Sequence, residues 1–226
     1  MNIYAKLTGS VLAGALALAV TSANALTVRI SDSNANTLTI NDGDAADLAV
    51  GVDGSLIASG LTLGGSTLSI ATAFVLDETG KASLELNVTN ANASGATLFI
   101  DATHTGFTGG AVAPAFTSLS FAMNASNISG GNVVGFGAFD DADAPFAGSV
   151  IGSSGVITST GDSILEGASA ALTPTFSLSI FTDVLDGATT SFDATVTAAV
   201  PVPAALPLFA SALLGLAMLG RRRSKA

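Results

Sequence analysis

The fold class predicted for residues 26–199 is all-β, a single antiparallel β-sandwich, and two observations carry it. Apolar and polar residues alternate with period two through most of that span, the pattern of a half-buried strand. Turn signals interrupt the alternation at short, even intervals, and no stretch carries a convincing helical stripe. Strand and turn spacing together predict roughly 9–12 strands in one domain. Jelly-roll and immunoglobulin-like connectivity both fit.

Taken in order, Leu26-Thr-Val-Arg-Ile30 and Thr37-Leu-Thr-Ile40 place apolar residues on one face and polar residues on the other. Thr67–Ile70, Ser83–Thr89, Thr175–Thr182 and Ser191–Thr197 repeat the pattern. These segments are rich in Thr, Val, Ile and Phe, which suit a pleated surface. Between them lie Asn41-Asp-Gly43, Asp53-Gly54, Gly64-Gly65, Gly109-Gly110, Gly130-Gly131 and Asp186-Gly187. Such pairs accept the positive φ that tight turns require. Asp162–Leu172 is the nearest approach to a helix, but it is short and interrupted by Ser and Gly. No repeat of fixed period is present, so neither solenoid nor propeller is expected.

Composition narrows the function. The chain has 49% hydrophobic residues, 25 Gly, one His and neither Cys nor Trp. That is enough apolar surface to bury a core, and it excludes disulfides, thiolate nucleophiles and Cys-type zinc sites. Residues 26–199 hold all 17 carboxylates against two cations, Arg29 and Lys81, for a net charge of −15. A surface that acidic repels phosphate backbones, so no nucleic-acid partner is expected.

Residues 1–25 read as a secretory signal peptide. Lys6 supplies the positive region, Leu7–Val20 the apolar stretch, and Ala23-x-Ala25 the small residues that signal peptidase accepts. Cleavage is expected before Leu26.

Candidate sites within the body are few. His104 lies in Asp101-Ala-Thr-His104, but no Gly-x-Ser-x-Gly nucleophile elbow accompanies it, so no catalytic residue is assigned. Asp42, Asp44 and Asp47 cluster in one turn, and Asp140, Asp141 and Asp143 in another. Asp-x-Asp spacing on a loop supplies oxygens for Ca²⁺, which makes these weak Ca²⁺ candidates beside the simpler reading of solvated turn aspartates. No other cofactor is expected. Sugar-binding sites lean on aromatic platforms, and the one Tyr, Tyr4, lies in the signal. Twelve Phe remain, most of them expected at alternating core positions.

The last 27 residues form three parts. Val200-Pro-Val-Pro-Ala204 is a Pro-bracketed motif, 205–220 is an apolar span, and 221–226 is basic through Arg221, Arg222, Arg223 and Lys225. With the motif included, the apolar stretch is about twenty residues, enough to cross a bilayer as a helix. The basic end marks the cytoplasmic side and places the body outside. Pro201 and Pro203 hold the approach extended. This arrangement resembles the PEP-CTERM class of sorting domains, in the variant that reads Val-Pro-Leu-Pro-Ala, with Val202 at the variable third position. The resemblance covers only this tail. It implies a Gram-negative exported protein, anchored in the inner membrane at least transiently and then at the cell surface or in the matrix, that is handled by an exosortase and associated with exopolysaccharide and biofilm matrix.

The sequence thus leads to a non-enzymatic surface or matrix protein sorted through its tail. The alternative is a polysaccharide-binding or Ca²⁺-dependent adhesion module, and the second alternative an extracellular hydrolase.

Overall fold

The computed structural model describes residues 26–49, 51–78, 81–108, 117–170 and 175–199. Every regular element among them is a β-strand. In chain order these are β1 (Leu26–Asp32), β2 (Thr37–Asn41), β3 (Ser55–Leu63), β4 (Ser66–Glu78), β5 (Lys81–Asn92) and β6 (Leu98–Phe107). They continue as β7 (Thr117–Ser129), β8 (Val133–Asp140), β9 (Ser149–Ile157), β10 (Gly161–Ala170), β11 (Phe176–Val184) and β12 (Thr189–Ala199). The segments read from alternation all fall in strands, save Thr175, which precedes β11 by one residue. Asp162–Leu172, the nearest approach to a helix, instead supplies most of β10, which pairs with β7 along its length. Its Ser and Gly residues cost a helix more than they cost a strand with a partner beside it.

Two six-stranded antiparallel sheets result. The first runs β2-β1-β6-β11-β8-β9 and the second β10-β7-β12-β5-β4-β3. From β5 onward the chain crosses from sheet to sheet at every step except the β8–β9 hairpin. This interleaving places β6 and β11 at the centre of one sheet, and β12 and β5 at the centre of the other. The sheets face each other across one core, to which Val28, Ile30, Ile100, Leu178 and Ile180 contribute from the first and Leu84, Leu86, Phe121, Phe192 and Val196 from the second.

Local chemistry sets the corners. Gly64 and Gly65, at φ of 58° and 100°, close the two-residue β3–β4 hairpin, in which Leu63 faces Ser66. Non-glycine residues rarely adopt that geometry. Asn90 and Asn127 also have positive φ, beside the irregularities where β12 shifts register against β5 and β7. Asn is the side chain best suited to such a bulge after Gly. The β8 glycines serve packing. A Cβ on Gly135 would collide with Met123 Sδ, and one on Gly137 would lie 2.9 Å from Phe121 Cβ. Bare backbone on the inner side of β8 is what admits Phe121 and Met123 from the opposite sheet.

The predicted signal peptide, with Ala23 and Ala25, and the tail 200–226 lie outside the described residues. No helix among the described residues is long and apolar enough to cross a membrane.

Candidate functional site

Each carboxylate of the first predicted cluster has a structural task. Asp42 accepts from Gly54 N–H at 2.7 Å, and Asp44 accepts from Asn41 N–H at 2.7 Å. Asp47, buried, accepts from the N–H groups of Gly43, Ala49 and Ile57 at 3.1, 2.8 and 3.0 Å. Burial pushes the Asp47 carboxyl up, but the donors of Ile57, Ala49 and Gly43 outweigh it and hold it below the ordinary carboxylate range. Of the three, Asp47 ties the loop after β2 to β3 through Ile57, while Asp42 and Asp44 bond within the loop and to the end of β2. In the second cluster Asp140 accepts from Ala144 N–H at 2.8 Å, and Asp143 from Gly106 N–H at 2.7 Å. Asp141 lies in the same loop. Among the described residues no group of three or more His, Asp or Glu is gathered closely enough to hold a metal ion.

His104 and Asp101 do not form a catalytic pair. Side chains alternate along β6, so Asp101 points outward while His104 points inward, beside Leu26 of β1 and Leu178 of β11. The imidazole is buried edge-on against Phe107, with centroids 4.6 Å apart and planes at 69°. Its Nδ1 has no hydrogen-bond partner among the described residues. Burial lowers the His104 pKa, and the charges of Asp77, Asp143 and Asp42 oppose that only in part.

The outer face of the first sheet holds a different arrangement. Residues 141–148 leave β8 and fold back across this face as a strap. Asp143 grips Gly106, Ser177 Oγ donates to the Ala144 carbonyl at 2.7 Å, and Phe146 N–H donates to Thr103 Oγ1 at 3.2 Å. Under the strap, Thr103, Ser177 and Ser179 are fully buried although they point away from the core. Two strap residues hold positive φ: Asp143 near 58°, which Asp tolerates, and Phe146 near 51°, which is costly for a bulky side chain. Phe146 lies above Arg29, whose guanidinium carbon is 4.2 Å from the ring centroid. The same guanidinium donates to Asp101 Oδ2 from Nη2 at 2.7 Å and Nε at 3.1 Å. Burial pushes the Asp101 carboxyl up, and Arg29 counters this.

The strap stops there, and the rest of the face stays half-open. Phe181 of β11 stands opposite Phe136 of β8. Two residues further along, Asp183 stands between Phe99 of β6 and Val134 of β8. All five are partly exposed. The Asp183 carboxylate has no side-chain hydrogen bond and no ion pair among the described residues. Desolvation first, and the neighbouring Asp101 charge second, raise its pKa above the ordinary value. The result is a carboxylate framed by Phe99, Phe136 and Phe181 on a rigid sheet, bounded on one side by the strap and the Arg29–Asp101 pair.

This corrects the expectation that most Phe residues serve the core. Of the ten described, Phe107, Phe121, Phe139, Phe176 and Phe192 are buried in the core. Phe99, Phe136, Phe146 and Phe181 line the outer face of the first sheet, and Phe74 is exposed on the second. A signal for them exists in the sequence. In Leu98-Phe99-Ile100 and Ile180-Phe181-Thr182 the Phe falls out of phase with its strand's inward residues.

No family model and no curated protein matches the chain. Among solved structures, it is similar to the enzymatically active domain of tailspike protein 4 of bacteriophage CBA120, at 12% identity and a TM-score of 0.33. That match covers 70% of this chain and 20% of the tailspike chain, so the protein spans about a fifth of the structure's length. It is also similar to the carbohydrate-binding module TmCBM61, solved in complex with β-1,4-galactotriose, at 12% identity and a TM-score of 0.28. That match covers 75% of this chain and 86% of the module. Overlays this loose carry no argument about ligand or activity.

Proposed function

We propose that this protein is an exported carbohydrate-binding β-sandwich, and that the half-open outer face of its first sheet is the binding surface. The observation that carries the reading is Asp183 set among Phe99, Phe136 and Phe181. Sugar rings have apolar C–H faces and polar rims. A platform of aromatic rings meets the first, and a carboxylate acceptor without competing partners meets the second. We read the interleaved β5–β12 connectivity as a jelly roll, an architecture in which lectin domains are found. The strap and the sheet fix the platform before any ligand arrives, which limits the ordering cost of binding. Binding without catalysis is the better-supported role, because Asp101 is tied to Arg29 and the imidazole of His104 lies on the opposite side of β6. Asp42, Asp44, Asp47, Asp140 and Asp143 accept from backbone donors, which favours the aromatic face over a Ca²⁺-dependent adhesion surface.

The signal peptide and the Val200–Ala204 motif support delivery of this body outside a Gram-negative cell, with exosortase and signal peptidase as processing partners. The outcome would be a surface or matrix protein that holds polysaccharide. A glycan panel probed with the full-length chain in detergent tests the reading. Binding is expected, and Phe181→Ala and Phe136→Ala should each weaken it about tenfold, the scale of one lost aromatic contact. A silent panel, or binding indifferent to both substitutions while the melting temperature is kept, overturns it.

A further inference from the structure

Resting on that reading of the first sheet's outer face, we infer that its ligand is a polysaccharide carrying free amino groups, with an ammonium seated on Asp183 among Phe99, Phe136 and Phe181. The protein already seats a cation of its own on this face. Arg29 lies between a carboxylate and an aromatic face, 2.7 Å from Asp101 Oδ2 and 4.2 Å from the Phe146 centroid. Carboxylate and ring attract a cation together, the first by a charge-assisted hydrogen bond and the second through its quadrupole. Asp183 repeats the combination on the same face, with Phe99 directly across on β6 and Phe181 two residues away. Asp101 has Arg29. Asp183 has no cation of its own among the described residues, and Lys81, the other cation of the body, sits on β5 in the opposite sheet.

The charge balance points the same way. Seventeen carboxylates against two cations give residues 26–199 a potential that attracts cationic chains and repels uronate or phosphate polymers. A neutral sugar satisfies Asp183 with hydroxyl donors but leaves two neighbouring carboxylates with one cation, Arg29, which is held by Asp101 on the β1 side of β6. An amino sugar supplies the second positive charge, and its ring still meets the Phe platform. Burial and the Asp101 charge both resist ionisation of Asp183, and an ammonium in contact with it relieves that resistance.

The test compares β-1,4-linked glucosamine oligomers with N-acetylglucosamine oligomers of equal length, titrated against the full-length chain in detergent at low ionic strength. Acetylation removes the charge and keeps the ring. The free-amine oligomer should bind at least tenfold more tightly, and Asp183→Asn should erase most of that preference. Glu85→Gln, on the exposed side of the opposite sheet, removes the same charge and should leave it unchanged. Equal loss in both variants reduces the effect to bulk attraction and overturns the inference. Equal affinity for the two oligomers also overturns it, while leaving the glycan reading intact. Binding of no glycan at all overturns both.

Discussion

At the scale of single residues, the inner and outer faces of β6 show how one strand serves two environments. His104 points inward against Phe107 and stays neutral there, because burial opposes its charged form. As pH falls below the ordinary value of 6.5, the unfolded chain takes up a proton that the folded chain refuses. Stability therefore drops through that window, until the lowered folded pKa is reached. Replacing His104 by Leu, which matches neighbouring Leu26 and Leu178, should flatten the melting temperature between about pH 7 and about pH 5. Parallel curves for the two proteins would show that another group sets the acid response. Asp101, three residues earlier, points outward and is paired with Arg29. His104 and Asp101 are three residues apart in sequence, and that proximity says nothing of face until the strand's extent is known. The Phe platform was hidden for a related reason. Alternation marks which residues share a face, but in Val133-Val-Gly-Phe-Gly-Ala-Phe139 both faces are apolar or bare, so Phe136 reads as core.

At the scale of elements, the strands with polar outer faces were legible, because one side must meet water and the other the core. β1, β2, β5 and β12 follow that rule. β8 departs from it by carrying Gly135 and Gly137 inward, and β10, Gly161–Ala170, shows no clean alternation in sequence. The strap of residues 141–148 was visible only as an acidic loop. Its anchors, Gly106, Thr103 and Ser177, lie on strands remote in sequence, and nothing local announces them. The glycine positions in β8 lend themselves to a direct check. Gly137 has no positive φ, so a side chain there is resisted by Phe121 rather than by the backbone. Gly137→Val should destabilise the protein by about 1–3 kcal/mol, the usual range for overpacking. Read as the denaturation midpoint, that loss should be smaller when Phe121 is first shortened to Leu, because the two sites share one volume. Additive losses would mean that β8 moves away instead of pressing on Phe121.

At the scale of the whole molecule, the distribution of charge decides how the sandwich responds to its surroundings. Few ion pairs can form in a body with two cations, and Arg29–Asp101 is the one salt bridge among the described residues. It is partly buried, where salt screens weakly. The remaining carboxylates are mostly on loops and strand exteriors, close enough to repel across distances comparable with the screening length, about 8 Å at physiological ionic strength. Added salt therefore costs the fold one shielded pair and relieves many exposed repulsions. Sodium chloride raised from about 10 mM to about 500 mM should increase the melting temperature, by about 2–4 °C for each 1 kcal/mol of repulsion removed. A glycan held through Asp183 should respond in the opposite sense and weaken over the same range, because the field that steers a cationic chain is screened with the rest. A melting temperature that falls with salt would place the net stabilisation in Arg29–Asp101 and overturn the view of the body as a self-repelling shell. The two titrations, run on one preparation, separate what salt does to the fold from what it does to the face.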